Sequence, residues 1–334
     1  MRCRPRRVCA VLVVTGALLC AGRQVPLRAA FAQQPAEAPA AFSANVSLVS
    51  MMVGVVDAND RFVTGLALSD FAVYEDGVAQ QLAFCSSGGV PLDLAILIDA
   101  SSSMQDKRSL VQDAAAGFAR TLQARDRGAV VEFNNSARFL SGFTGTVDDL
   151  VAAIRQTGAQ GRTALYNALY VTLAEFEKLP SAGDEVRRQA IVVLSDGDDT
   201  ASLVTLDDVV RQARRAGVRI YTVSLISATR AEQIEKQTGA RYSSHADQAM
   251  AALARDSGAR SFFPSKSSDL SAVYTLIARE LSNLYVLGYA PSNSSQDGSY
   301  RSLRVQVVTR PNAFARTRAG YFAADARGGS ITRP

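Results

Sequence analysis

The sequence predicts an α/β fold: a doubly wound, mostly parallel sheet inserted in a small β-sandwich-like domain that the N- and C-terminal flanks build together. Three observations lead there. Over residues 92–290 short apolar runs alternate with amphipathic helical patterns, the mark of a mostly parallel sheet wrapped in helices. On either side, residues 46–87 and 284–322 carry strand and turn patterns only. Each flank alone is too small to bury much apolar surface, so packing them on each other is the economical solution. A length of 334 residues with 48% hydrophobic content suffices for packed cores on this scale.

The chain opens on a basic head, with Arg2, Arg4, Arg6 and Arg7, followed by an apolar stretch over residues 8–21 and by Ala30-Phe31-Ala32 before Gln33. These are the three parts of a secretory signal, which assigns residues 1–32 to a signal peptide cleaved after Ala32 and the mature protein to an exported, periplasmic, cell-envelope or extracellular location. The apolar stretch is shorter than the ~20 residues of a membrane-spanning helix, so no transmembrane segment is expected in the mature chain. Arg6-Arg7 hints at twin-arginine export, but the residues after it fit the general route better. Cys20 follows Ala17-Leu18-Leu19, a poor lipoprotein box because Leu19 stands where a small residue belongs.

Without the signal, Cys85 is the only cysteine left and His245 the only histidine, which excludes an internal disulfide and a Cys/His zinc cluster. The formal charge of +5 also resides in the signal, whose six arginines face no acid; the remainder holds 30 bases against 31 acids. A nucleic-acid partner therefore loses its electrostatic support.

Residues 33–45, rich in Pro and Ala, read as a flexible linker. The N-terminal part of the β-domain, 46–88, carries strands at 46–56, 71–74 and 81–84, the last two flanking the hairpin signal Asp76-Gly77. The α/β domain is assigned to 89–283. Its strands are expected at 92–98, 128–134, 190–195, 218–225 and 260–263, with an antiparallel edge at 137–140 beyond the turn Asn134-Asn135-Ser136. Helical stripes run through Val111, Ala114, Phe118 and Leu122, through Leu165, Leu169, Leu173 and Phe176, and through Leu270, Val273, Ile277, Leu281 and Leu284. Residues 227–248 are polar and weakly periodic and read as a surface excursion. The C-terminal part of the β-domain, 284–325, alternates at Leu303, Val305 and Val307, and residues 326–334 form a tail. Tyr285, Tyr289, Tyr300 and Tyr321 read as strand packing rather than a carbohydrate-stacking surface. Arg301, Arg304, Arg310, Arg316 and Arg318 read as a solvated sheet face.

The chemistry gathers at strand tips. The run Leu94-Ala95-Ile96-Leu97-Ile98 ends on Asp99, followed by Ser101 and Ser103, and a second apolar run ends on Asp196. Unalternating apolar runs of this length are central parallel strands, and a doubly wound order with reversal between the first and fourth strands brings both tips to one crevice. Thr163 lies in Gly161-Arg162-Thr163 just before a helical pattern. Each piece alone reads as a helix cap or a turn; together they place five oxygen donors at one end of the sheet. Two carboxylates in such a cleft repel unless a cation lies between them. Oxygen donors without nitrogen or sulfur call for a hard cation, Mg²⁺ first, with Mn²⁺ or Ca²⁺ as alternatives.

These residues resemble the von Willebrand factor type A domain, whose metal-ion-dependent adhesion site matches Asp99-x-Ser101-x-Ser103, Thr163 and Asp196. The resemblance implies direct metal contact by Ser101 and Ser103, with Thr163 and the two aspartates bonded directly or through water. It also implies an open coordination position that accepts the Asp or Glu of a protein partner. Ala100-Ser101-Ser102 departs from the family's frequent Gly among its small residues and should leave coordination intact. The flanks, from Val63-Thr64-Gly65-Leu66 to Asp76-Gly77 and from Leu287-Gly288-Tyr289 to Gly320-Tyr321, are similar to exported bacterial proteins described as von Willebrand factor A-related.

The reading is thus an exported metal-dependent protein-binding module and not an enzyme. A metal-assisted hydrolase is the alternative of another class, yet the sequence has no G-x-S-x-G elbow, no phosphate-cradling loop and no second metal cluster. The third reading is a metal-independent scaffold subunit of an envelope complex, against which the intact donor set speaks.

Overall fold

The computed structural model describes residues 48–179, 186–196, 199–225, 245–264 and 266–325. The signal at 1–32 with Cys20, the linker at 33–45, the tail at 326–334 and residues 227–244 of the polar stretch lie outside the described residues. Along the chain, β1 (Val49–Asp57), β2 (Phe71–Glu75), β3 (Val78–Gln80) and β4 (Leu82–Ser87) precede β5 (Leu92–Asp99), α1 (Arg108–Ala119), β6 (Arg127–Phe133) and β7 (Ala137–Thr144). Then come α2 (Val147–Arg155), α3 (Leu165–Phe176), β8 (Arg188–Ser195), α4 (Leu206–Ala216), β9 (Arg219–Ser224), α5 (His245–Asp256), β10 (Ser261–Phe262) and α6 (Leu270–Ser282). The chain returns to strands in β11 (Tyr285–Tyr289), β12 (Tyr300–Val307), β13 (Ala313–Arg316) and β14 (Gly320–Phe322).

The central sheet has six strands in the order β10-β9-β8-β5-β6-β7, parallel throughout except for β7, which runs antiparallel to β6 at the edge. The chain leaves β5 toward β6 on one side and later fills the other side with β8, which is the expected reversal. Every residue of β5 is buried. Leu94, Ile96 and Ile98 pack on one face with α1, α2 and α6, whereas Ala95 and Leu97 pack on the other with α3, α4 and α5. A strand covered on both faces has no use for polar alternation, which is why its sequence is an unbroken apolar run.

Three helices escaped the sequence reading because their apolar stripes are short and set among charged or small residues. In α4 only Val209 and Ala213 are buried, and its ends are fixed instead by a capping box between Thr205 and Asp208 and by Gly217 in the left-handed conformation. The helix α5 occupies the end of the stretch read as a surface excursion, and Asp247 on it is buried, accepting a 2.5 Å hydrogen bond from Ser224 Oγ. The short α2 buries Leu150, Ala153 and Ile154.

The flanks form two four-stranded antiparallel sheets, β13-β1-β11-β4 and β14-β12-β2-β3. Each sheet takes strands from both flanks, and Met51, Val53, Phe71, Val73, Tyr285, Leu287, Leu303 and Val305 share one apolar cluster. The hairpin around Asp76-Gly77 joins β2 to β3, not to 81–84; β4 crosses to the other sheet and pairs with β11. Gly288 is required at that pairing, because a Cβ there would lie 2.0 Å from the Phe84 ring. Tyr285 and Tyr289 are buried, and the Tyr289 hydroxyl donates to Glu75 at 2.5 Å. Of the five arginines read as a solvated face, Arg304 and Arg310 are exposed, whereas Arg301 and Arg316 depart from it. Arg301 is buried and paired with the buried Glu75 at 3.2 Å, and Arg316 reaches Glu280 at 2.9 Å. Along β12 Arg301 stands in phase with the buried Leu303 and Val305, so the alternation itself carried the signal for its burial.

Asp93, at the entrance of β5, is buried between Arg127 and Arg187, at 2.7 and 2.8 Å. Burial works against its ionisation, but the hydrogen bonds from the two guanidinium groups outweigh it and hold the carboxyl below the usual range. A lowered folded-state value means that this stabilisation is present at neutral pH and is lost as pH falls through the carboxylate range. Asp93→Asn is therefore expected to cost about 3 kcal/mol at pH 7, with the gap to the wild type narrowing in melting curves taken at progressively lower pH.

Candidate metal centre

The parallel register that sets Ile98 against Leu194 carries Asp99 alongside Ser195 at the strand tips. Ser195 Oγ donates to Asp99 Oδ2 at 2.5 Å, and the Ser101 backbone N–H donates to Asp99 Oδ1 at 2.8 Å. The chain then turns into a short 3₁₀ segment, Ser102–Lys107, that leads into α1. Within it Ser103 Oγ lies 3.1 Å from Ser101 Oγ and donates to Asp196 Oδ1 at 2.7 Å. Lys107 Nζ holds Asp196 Oδ2 at 2.5 Å.

Thr163 reaches the same end of the sheet by a different route. Its loop is laced to the serine loop through Gly161 N–H to Ser102 Oγ at 3.0 Å and Gln160 N–H to Ala100 O at 2.7 Å. From the β6–β7 turn, Asn134 O accepts Ala164 N–H and Asn135 Oδ1 accepts Arg162 N–H. The carbonyl of Thr163 accepts from the N–H groups of Thr200 and Ala201. Asp99, Ser101, Ser103 and Asp196 thus form one hydrogen-bonded chain, while Thr163 is fixed beside it through its backbone and loop and bonds to none of the four among the described residues.

Burial pushes the Asp99 carboxyl above the usual carboxylate range, and the charge of Asp196 adds to the effect, against the hydrogen bonds from Ser195 and Ser101. A cation between the carboxylates would relieve that repulsion. The two serine oxygens, 3.1 Å apart, match the edge of an octahedron with bonds of about 2.1 Å, which is about 3 Å. Ser103 directs its hydroxyl hydrogen at Asp196, so its oxygen lone pairs remain for a cation. Among the described residues no three His, Cys, Asp or Glu side chains cluster as a metal site, so a cation here would draw on hydroxyl ligands as well as carboxylates. The residues fit a hard dication on these counts.

Sequence reasoning missed Ser195 and Lys107. Both signals were present: Ser195 is the last strand residue before Asp196, level with Asp99 in a parallel register, and Lys107 lies about one helical turn beyond Ser103. It also missed Asp199, which fixes the loop after Asp196 by accepting Tyr166 N–H at 2.9 Å and Ser202 Oγ–H at 2.6 Å.

Fold and site together define a class, an α/β domain that presents carboxylate and hydroxyl oxygens in the crevice where its sheet reverses. The family model of the von Willebrand factor type A domain matches residues 93–276, more than half of the chain, and the chain belongs to this family. Its members are mostly non-enzymatic binding modules and often carry a metal-ion-dependent adhesion site. No curated protein matches the chain in sequence. Among solved structures it is similar to BatB from Bacteroides thetaiotaomicron, with 14% identity over 57% of this chain and 97% of that one and a TM-score of 0.44. An aerotolerance-related membrane protein from Bacteroides fragilis gives 13% identity over 57% and 99%, with a TM-score of 0.43. Proximal thread matrix protein 1 from the mussel byssus, solved with a zinc-occupied metal-ion-dependent adhesion motif, gives 17% identity over 62% of this chain and 49% of that one, with a TM-score of 0.47. No helix among the described residues is long and apolar enough to cross a membrane.

Proposed function

We propose that the protein is an exported, metal-dependent protein-binding module in which Asp99, Ser101, Ser103, Thr163 and Asp196 hold one divalent cation, Mg²⁺ first, whose free position takes an Asp or Glu of a partner protein. The observation that carries the reading is the linked chain from Asp99 through Ser101 and Ser103 to Asp196 at the tips of two adjacent strands. It offers a dication two formal negative charges and neutral oxygens, and a cation bound this way stays electrophilic enough to seek a further anion.

Calorimetric titration of the folded protein with Mg²⁺ and Mn²⁺ is expected to show one site, and partner capture from an envelope extract is expected to disappear with chelator. Absence of metal binding at millimolar concentration, or capture indifferent to chelator, would leave the metal-independent scaffold in its place. One observation favours that second reading: Lys107 already compensates Asp196 with a positive charge from the chain itself. Capture that survives both chelator and Asp99→Asn would establish it.

A further inference from the structure

Lys107 is a charged element of the site that the metal reading does not use. Its ammonium lies 2.5 Å from Asp196 Oδ2, with the two side chains 19% and 3% exposed, so the pair is partly shielded from water and from salt. On the other oxygen, Asp196 accepts Ser103 Oγ–H. The contact to Lys107 thus places a full positive charge within the group that would hold a dication, and brings the formal charge of Asp99, Asp196 and Lys107 together to −1 rather than −2.

We infer that Lys107 is an internal competitor for the cation: it lowers the affinity of the bare site for divalent metal and leaves the loaded site more electropositive, so that metal and an acidic partner bind in mutual dependence. The inference rests on the metal-binding reading of the same five residues. Two like charges a few ångströms apart in a partly desolvated cleft repel by an amount that translates into at least an order of magnitude in affinity. The same charge attracts a carboxylate arriving on the metal. A loaded site with Lys107 in place carries a formal +1, and a partner's Asp or Glu cancels it. Without Lys107 the loaded site is neutral, and the arriving carboxylate gains less. Linkage makes the effect reciprocal: whatever favours the carboxylate on the metal also favours the metal in the presence of the carboxylate.

A purely supporting role makes the opposite prediction. If Lys107 only held Asp196 in place, its removal would weaken metal binding, as loss of a supporting residue does. The test is Mn²⁺ affinity, measured by calorimetry or by the paramagnetic resonance of free Mn²⁺, for the wild type, Lys107→Met, Lys107→Gln and Lys107→Arg, each with and without acetate as the carboxylate probe. The expected result is Mn²⁺ binding about tenfold tighter in Lys107→Met and Lys107→Gln, wild-type affinity in Lys107→Arg, and acetate tightening Mn²⁺ binding more in the wild type than in Lys107→Met. Thermal melting follows the same linkage, with a larger upward shift on adding Mn²⁺ for Lys107→Met than for the wild type. Equal or weaker Mn²⁺ binding in both neutral variants, or an acetate effect that does not depend on Lys107, would overturn the inference while the metal site stands. No Mn²⁺ binding to any of the four proteins would overturn the metal reading itself, and the inference with it.

Discussion

Removal of the chain beyond Ala290 is expected to strip residues 49–87 of hydrogen-exchange protection, although none of those residues is deleted. The cut removes β12, whose pairing from Leu303 against Glu75 to Val307 against Phe71 holds β2, and β13, which pairs with Gly54–Asp57 of β1. Leu303 and Val305 leave the apolar cluster that includes Met51, Val53, Phe71 and Val73, each worth about 1.5–3 kcal/mol by burial. Arg301 and Tyr321 leave as well, so Glu75, 2% exposed, keeps only the Tyr289 hydroxyl and loses its counter-charge. Breaking a buried pair from one side costs about 3–5 kcal/mol. Together these losses are comparable with the whole stability of an ordinary domain, about 5–15 kcal/mol. Protection that stays unchanged over 49–87 would show that the N-terminal flank does not depend on β12, β13 and β14.

Asp99→Asn is expected to lower divalent-metal affinity by more than 100-fold, beyond the roughly 10–100-fold that loss of a mere supporting residue brings, and to leave the fold in place. The amide keeps the shape of the carboxyl and an oxygen that can accept from Ser195 Oγ or from the Ser101 N–H. It also removes one of two carboxylates that repel each other in the bare protein, the repulsion that helps to push Asp99 upward. Melting temperature without metal should therefore hold or rise, while calorimetry should lose the metal signal. A variant that still binds Mn²⁺ like the wild type would remove Asp99 from the site, and one that fails to fold would assign Asp99 a structural role instead.

The central sheet was legible because burial on both faces writes itself into sequence as an unbroken apolar run, as in Leu94-Ala95-Ile96-Leu97-Ile98, and because the doubly wound order assumed for such runs brings the tips at Asp99 and Asp196 together. The helix α4 was not, since its stripe of Val209, Val210 and Ala213 is narrow and set among Asp207, Asp208, Arg211, Arg214 and Arg215, with Thr205 and Gly217 marking its ends. The partner of β2 was misjudged for a related reason. Val78–Gln80 is short and mostly exposed, whereas the more strand-like residues from Leu82 onward serve another sheet. At the candidate site, the two aspartates and two serines that the sequence singled out do meet. Lys107 stayed hidden because a lysine after a serine cluster is ordinarily a solvated helix start; only the fold shows that it turns back onto Asp196.

Ser87 at the end of β4 and Tyr285 at the start of β11 are directly paired, so the polypeptide enters and leaves the entire α/β block at one rung of a ladder. Mechanically this is a clip. Tension applied through β1 or through the C-terminal strands is borne by the two small sheets and is transmitted across that rung, bypassing the long loop of chain that the rung closes. The tips of β5 and β8 then keep their spacing while the outer strands are loaded. For a module that would hold its partner through one ion, the arrangement separates the part that carries load from the part that must keep its geometry to within a bond length.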